Sequence, residues 1–285
     1  MRIRLLLLLL LLPFCLSAQE LFTVKGRIVN EAGKPVEYVH VGIPARQIGT
    51  VSSVDGRFEI EVPADTLEFH HVSYQTGGFA VTGPVNDVLI VLHANELPPA
   101  VAIGGDTREK YLVRSGTSVA GGVIDFYQPE TGIIGGELGS IAKAKKPFLI
   151  KDIMFTIRDN YIPGCVASIN IYSIEGKPET FVNVLHRPIY VNIAMSEEPQ
   201  SFDVKPDELI LLEPGKYFIG FQIVSADEDA ILQHQANPES ESDRHFMHMY
   251  APLYMKSSYH RSSVLGALKP IPFNIGISVK GLEYQ

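Results

Sequence analysis

The sequence predicts an all-β protein: an N-terminal β-sandwich followed by a second antiparallel, jelly-roll-like β-sandwich. Three observations predict it. Apolar residues recur at every second position in short runs, the period of a strand with one buried face. Glycine and proline punctuate those runs at short intervals, as turns between strands require. Apolar residues at helical spacing are scarce.

The first sandwich is expected over residues 22–96. In FTVKGRIV, Phe22, Val24 and Ile28 share one face, and Thr23, Lys25 and Arg27 the other. NEAGKP supplies a turn through Gly33 and Pro35, and VEYVHVGI then aligns Val39, Val41 and Ile43. Gly49-Thr50 opens a short strand. Asp55-Gly56 reads as a hairpin turn, because glycine tolerates positive φ and aspartate bonds its own backbone. Phe58, Ile60 and Val62 point inward while Arg57, Glu59 and Glu61 face water. Pro63 has no N–H for a ladder and ends that strand. LEFHHVSY and DVLIVLH supply the last two strands.

The order Val24-x-Gly26, Gly33-x-Pro35, Gly49-Thr50, Asp55-Gly56-x-Phe58 and LEFHHVSYQT resembles the carboxypeptidase regulatory-like domain. That is a transthyretin-like sandwich at the front of many exported proteins of Bacteroidetes-type bacteria. The chain departs from the family pattern at Ser73, where a glycine is usual. The resemblance implies a fold and an envelope setting. It implies no reaction, because such domains carry no catalytic residues. His93 and Glu96 fit the H-x-x-E spacing of a zinc peptidase. In those enzymes the zinc site lies outside the regulatory domain, whereas here the pair sits at that domain's end.

A linker is expected at 97–115, where Pro98-Pro99 and Gly104-Gly105 break the period. Seven glycines follow between Gly116 and Gly139, with neither phosphate-binding glycine motif among them. They read as irregular loops. The second sandwich is expected over 116–285. Ile153, Phe155 and Ile157 share a face, as do Ile169 and Ile171. So do Ile189, Val191, Ile193 and Met195, and later Phe273, Ile275, Ile277 and Val279. Pro214-Gly215 between two apolar runs reads as a hairpin. The order Ile153-x-Phe155, Ile169-x-Ile171-Tyr172, Lys177-Pro178, Phe202-Asp203 and Tyr217 to Phe221 resembles the uncharacterised C-terminal half joined to the regulatory-like domain in Bacteroidetes envelope proteins.

Residues 1–18 read as an export signal. Arg2 and Arg4 precede an unbroken leucine run from Leu5 to Leu12, and small residues follow at Ser17 and Ala18. Cleavage is expected after Ala18 or Gln19. The chain carries a formal charge of −8, and losing Arg2 and Arg4 takes it to −10 (−8 − 2). Such a balance argues against nucleic acid as the main partner. Lipid attachment at Cys15 would want small residues before it, where Pro13 and bulky Phe14 stand. After cleavage only Cys165 remains, so no internal disulfide is expected, and it reads as a small buried hydrophobe. No later apolar run reaches 18 residues, so no integral membrane span is expected in the mature chain. Its place is then the periplasm or the outer-membrane or cell surface.

The chemistry-bearing residues point to recognition. His245, His248 and His260 sit in DRHFMHMYAPLYMKSSYH. On a strand, His245 and His248 would face opposite ways, as would His70 and His71. Asp227, Glu228 and Asp229 form an acidic loop that lacks the spaced ligands of a calcium loop. The G-x-S-x-G motif of a serine hydrolase is absent. No catalytic residue, metal or cofactor is therefore assigned. The expected contact surface comprises Tyr250, Tyr254, Tyr259, His248 and His260, since tyrosines stack on sugar rings and anchor protein interfaces. The expectation is a non-enzymatic exported envelope protein that binds a glycan or an envelope protein. The alternative is a hydrolase with its site in the C-terminal half.

Overall fold

A computed structural model describes residues 20–96, 104–127, 134–236 and 245–285. The expected export signal, Cys15 and residues 97–103 of the expected linker lie outside the described residues. The chain is nearly all β, as its two-residue periodicity predicts.

Residues 20–96 hold seven strands: β1 (Leu21–Asn30), β2 (His40–Ile43), β3 (Ile48–Val51), β4 (Arg57–Pro63), β5 (Asp65–His71), β6 (Tyr74–Val81) and β7 (Val85–Leu92). They make two facing sheets, ordered β4-β1-β7 and β3-β2-β5-β6. All pairs are antiparallel except β1 with β7. The core between them holds Val24, Ile28, Val41, Phe58, Ile60 and Phe69. Alternation in β4 runs as its sequence dictates: Phe58, Ile60 and Val62 are buried between exposed Arg57, Glu59 and Glu61.

The Asp55-Gly56 turn corrects the hairpin expectation. β3 pairs with β2, while β4 pairs with β1 in the opposite sheet. The turn therefore carries the chain across the sandwich. Gly56 sits at φ 77, and a Cβ there would fall 2.4 Å from the Ile28 carbonyl oxygen, so no side chain fits.

The second half holds fifteen described strands. They begin with β8 (Thr107–Val113), β9 (Val123–Asp125), β10 (Glu137–Ala144), β11 (Phe148–Ile157), β12 (Asp159–Asn160), β13 (Cys165–Glu175), β14 (Thr180–Asn183) and β15 (Ile189–Ile193). They continue with β16 (Gln200–Val204), β17 (Leu211–Leu212), β18 (Gly215–Ser225), β19 (Met249–Pro252), β20 (Ser258–Arg261), β21 (Lys269–Ile271) and β22 (Ser278–Tyr284). A seven-stranded sheet runs β14-β13-β18-β10-β20-β21, with β15 also on β13. A five-stranded sheet runs β16-β11-β22-β8, with β17 on β11. Ile153, Phe155, Ile169, Ile171, Phe221 and Ile277 belong to the core that joins them.

Four local expectations change. Residues 107–113, placed in the linker, form β8 and pair with β22, because the run from Tyr111 to Val113 buries against the core. Pro214-Gly215 links β17 and β18, which lie in different sheets, so this turn also crosses the sandwich. Met195 lies past the end of β15 and is 56% exposed. Asp227 to Asp229 begin a helix, α1 (Glu228–Ala236), and not a loop. Asp227 caps it: its Oδ1 accepts the Ala230 N–H at 3.1 Å. No described helix is long and apolar enough to cross a membrane.

Candidate functional site

The two sandwiches meet through an outer face of the seven-stranded sheet. On β13, Ala167, Ile169 and Ile171 point into the core, so Ser168, Asn170 and Tyr172 point the other way. That outer face is covered, not wet: nearly every residue of β18 from Tyr217 to Val224 is buried. Phe181, Tyr259 and Glu137 of the second half cover part of it, and the first sandwich docks beside them. Val72 packs against the second core. The Ser73 hydroxyl donates to the His186 carbonyl at 3.0 Å. Tyr38 and Tyr190 meet edge-on with ring centres 4.9 Å apart.

Between the halves lies a cleft of about 570 Å³. From the first sandwich, His40, His70 and His71 line it, beside Tyr38. His40 on β2 pairs directly with His70 on β5, which places both side chains on one face. His71 should then face away. His71, the last residue of β5, nevertheless lines the cleft as well, and the register shift beside it puts the extra residue on β6. Both histidines thus reach the cleft from the end of β5. Glu68 Oε2 holds His70 Nε2 at 2.8 Å. His71 Nδ1 accepts the Ser73 N–H at 3.1 Å, which leaves its Nε2 as the donor toward the Tyr190 hydroxyl at 3.3 Å. Among the described residues no three His, Cys, Asp or Glu side chains are placed to hold a metal ion.

The opposite wall is a buried polar network. Arg261 Nη2 sits 2.5 Å from Glu137 Oε2 and donates to the Tyr172 hydroxyl at 2.8 Å. Glu137 Oε1 accepts from Asn170 Nδ2 at 2.8 Å. Asn170 Nδ2 also reaches Gln222 Oε1 at 3.1 Å, and Gln222 Nε2 donates to the Gly135 carbonyl at 3.1 Å. The Glu137 side chain is fully buried and that of Arg261 is 11% exposed. Their contact is an ion pair more than an aligned hydrogen bond, since Glu137 Oε2 meets no donor at good geometry, and Arg261 Nε has no acceptor. The register explains the assembly: Glu137 faces Gln222 on β18 and Arg261 on β20.

Burial sets the charge states. It pushes His40 down to about 3, helped by the nearby Arg261, His71 and His70. It pushes His71 down to about 4. Burial opposes the charge of Arg261 too, but Glu137 and Tyr172 outweigh it and keep the guanidinium protonated. Burial raises the Tyr172 and Tyr190 hydroxyls, so both stay neutral donors.

The five residues expected as a contact surface do not share one. His248 and Tyr250 come together: their rings stack with centres 5.9 Å apart. His248 Nδ1 lies 2.6 Å from Asp125 Oδ2, and Tyr127 stacks on the same imidazole at 4.5 Å. His245 joins them through the Tyr250 hydroxyl at 3.1 Å. Tyr254 lies elsewhere, packed on Gly276 beside a cavity of about 290 Å³. Tyr259 is 8% exposed, under Phe181 and Phe218, with its hydroxyl donating to Glu179. His260 lines a separate cavity of about 140 Å³ with Phe273. None of the five lines the interdomain cleft. His93 is spent on Glu31, with Nδ1 2.8 Å from Oε1, and both are exposed. Cys165 is buried, and burial raises its thiol to about 12, as an inert core residue requires.

Sequence reasoning missed the cleft residues. One signal was present: Ser168-x-Asn170-x-Tyr172 alternates with core isoleucines yet carries no charge, unlike a strand face that meets water.

Fold and site together define an all-β protein of two docked sandwiches with a polar, aromatic cleft between them. No family model and no curated protein matches the chain. Solved structures similar to it include the infectious bursal disease virus Gx strain, at 10% identity and a TM-score of 0.32, covering 93% of this chain and 56% of that one. The VP2 subviral particle of that virus gives 10% and 0.30, with the same coverage. A DUF3823 family protein from Bacteroides ovatus gives 10% and 0.21, covering 72% of this chain and 97% of that one. This chain thus spans a little over half the length of the viral chains. These likenesses assign no ligand and no activity.

Proposed function

We propose that the protein is a non-enzymatic, exported cell-envelope module that binds a glycan in its interdomain cleft. The interdomain cleft itself is the observation that carries this reading. It combines aromatic rings at Tyr38 and Tyr190 with amide and hydroxyl groups at Asn170, Asn183, Ser168 and Thr76. Rings to stack on and neutral donors to bond hydroxyls are the groups a sugar needs. The sequence resemblance of residues 22–96 to the carboxypeptidase regulatory-like domain supports the envelope setting, as does the signal-like N-terminus. Screening the purified chain on immobilised polysaccharides tests the reading. Capture that is lost in Tyr190→Ala and Asn183→Ala is expected. Capture unchanged in both variants, or an envelope protein caught in place of any polysaccharide, removes it.

The second reading is a hydrolase in the C-terminal half, and one observation favours it. Asp125 holds His248 through Nδ1, which orients the imidazole as an Asp–His base would be oriented. Turnover of ester or glycoside substrates that disappears in His248→Ala and Asp125→Asn would establish it.

A further inference from the structure

The cleft wall is rich in imidazole and guanidinium groups. Its lining includes His40, His70, His71, His186 and Arg261, and against them one carboxylate, the exposed Glu96. Counted like the chain's formal charge of −8, with histidines neutral, Arg261 and Glu96 cancel and the cleft wall carries no net negative charge. Two carboxylates near these groups are committed, Glu68 to His70 and Glu137 to Arg261, and Glu37 stands near Tyr38 and Tyr190. Arg261 Nε is a buried donor with no acceptor at all. A ligand that settles here must bring acceptors, and an anionic oxygen is the strongest kind.

We propose that the cleft selects saccharides bearing an acidic group, a carboxylate or a sulfate ester, seated against His40 and Arg261, beside the His70 that pairs with His40. This rests on the glycan reading above and sharpens it. The seat is the β2–β5 histidine pair, fixed by direct cross-strand register. Tyr38 and Tyr190, packed edge-on against each other, stand to one side of the sugar ring.

A proton accompanies the ligand. His40 is neutral in the empty cleft because burial, Arg261, His71 and His70 all oppose its charge. The other ionisable groups around it are Glu68 on His70, Glu137 behind Arg261, Tyr172 beside that guanidinium, Glu96, His186, Tyr38 and Tyr190 on the cleft wall, and Glu37 near the two tyrosines. A bound anion reverses the balance at His40 and draws in a proton.

The test uses matched ligands and the full exported chain. Oligogalacturonate is titrated against its methyl ester, and a sulfated oligosaccharide against its desulfated twin, by calorimetry in two buffers of different ionisation enthalpy. We expect one or both acidic members to bind about tenfold or more tighter than the neutral twin, with net proton uptake. His40→Gln should abolish the preference. His70→Gln is the second variant, and it should weaken the preference by releasing Glu68 beside the seat. Neutral twins binding as well as acidic ones, in a manner sensitive to Tyr190→Ala, would overturn the acid preference and leave the glycan reading standing. Failure of every saccharide to bind overturns both.

Discussion

Glu137 and Arg261 pair 2.5 Å apart in a sheet covered on both faces. The carboxylate is fully buried and can be replaced only with its partner in mind. Removing one member of such a pair typically costs about 3–5 kcal/mol, because the other charge is left buried and alone. Arg261→Ala and Glu137→Ala should each lower the unfolding free energy by about that amount, read by urea denaturation. The double variant Glu137→Leu/Arg261→Met should recover most of it. Additive losses in the double variant would contradict the pairing.

Gly220 is the seat of Glu137. A Cβ at Gly220 would fall 2.1 Å from Glu137 Oε1 and 2.7 Å from its Cδ. Gly220→Ala should therefore cost about 1–3 kcal/mol through overpacking. The neighbouring atoms belong to a side chain, so the clash vanishes when that side chain is shortened. In a double-mutant cycle, Gly220→Ala should cost much less in the Glu137→Ala background. Equal costs in both backgrounds would mean that the backbone of β10, and not Glu137, fills the space.

Acid should loosen the cleft before it loosens the carboxylate pairs. His71 titrates at about 4 when folded, from an ordinary 6.5, and His40 at about 3. Between 6.5 and those values the unfolded chain binds more protons than the folded one, so stability falls as pH falls. Above 6.5 both states carry neutral imidazoles and the contribution is complete. Asp55, held low by the Ser53 hydroxyl, and Glu179, held low by the Tyr259 hydroxyl and Lys216, lose their share only at lower pH, as they protonate. Melting temperatures across this range should drop between about pH 6.5 and 4. The drop should flatten in His71→Gln/His40→Gln. A wild-type slope in that double variant would place the acid sensitivity elsewhere.

The two sandwiches should unlock at Tyr190. Its ring meets Tyr38 and its hydroxyl meets His71. Tyr190→Phe removes one hydrogen bond and should cost about 0.5–1.5 kcal/mol. Tyr190→Ala also removes the ring and should expose the peptide bonds after His71 to limited proteolysis. Cutting at the same rate as in wild type would show that Val72 and Ser73 hold the junction without it.

Much of this architecture could be read from the chain, for a local reason. Phe58, Ile60 and Val62, or Ile153, Phe155 and Ile157, commit their faces by period alone. The turns were legible as reversals and illegible as connections. Asp55-Gly56 and Pro214-Gly215 fit a hairpin in composition, but nothing local says which sheet receives the next strand. The helix at Glu228 was hidden because its sequence, EDAILQHQA, has little apolar periodicity and rests on the Asp227 cap. The candidate site was the least legible part. His40, His71, Asn170 and Arg261 come from four strands, and nothing local brings those strands together. Tyrosines close in sequence, such as Tyr250, Tyr254 and Tyr259, were dispersed instead to three environments.

The most direct test of the account follows the histidine ring signals by nuclear magnetic resonance during titration with an acidic oligosaccharide. Eight of the nine histidines divide by place: His40, His70, His71 and His186 line the cleft, and His93, His245, His248 and His260 do not. The account predicts saturable shifts confined to the first four. Shifts at His245 and His248 with a silent cleft would move the site to the Asp125 cluster and contradict it.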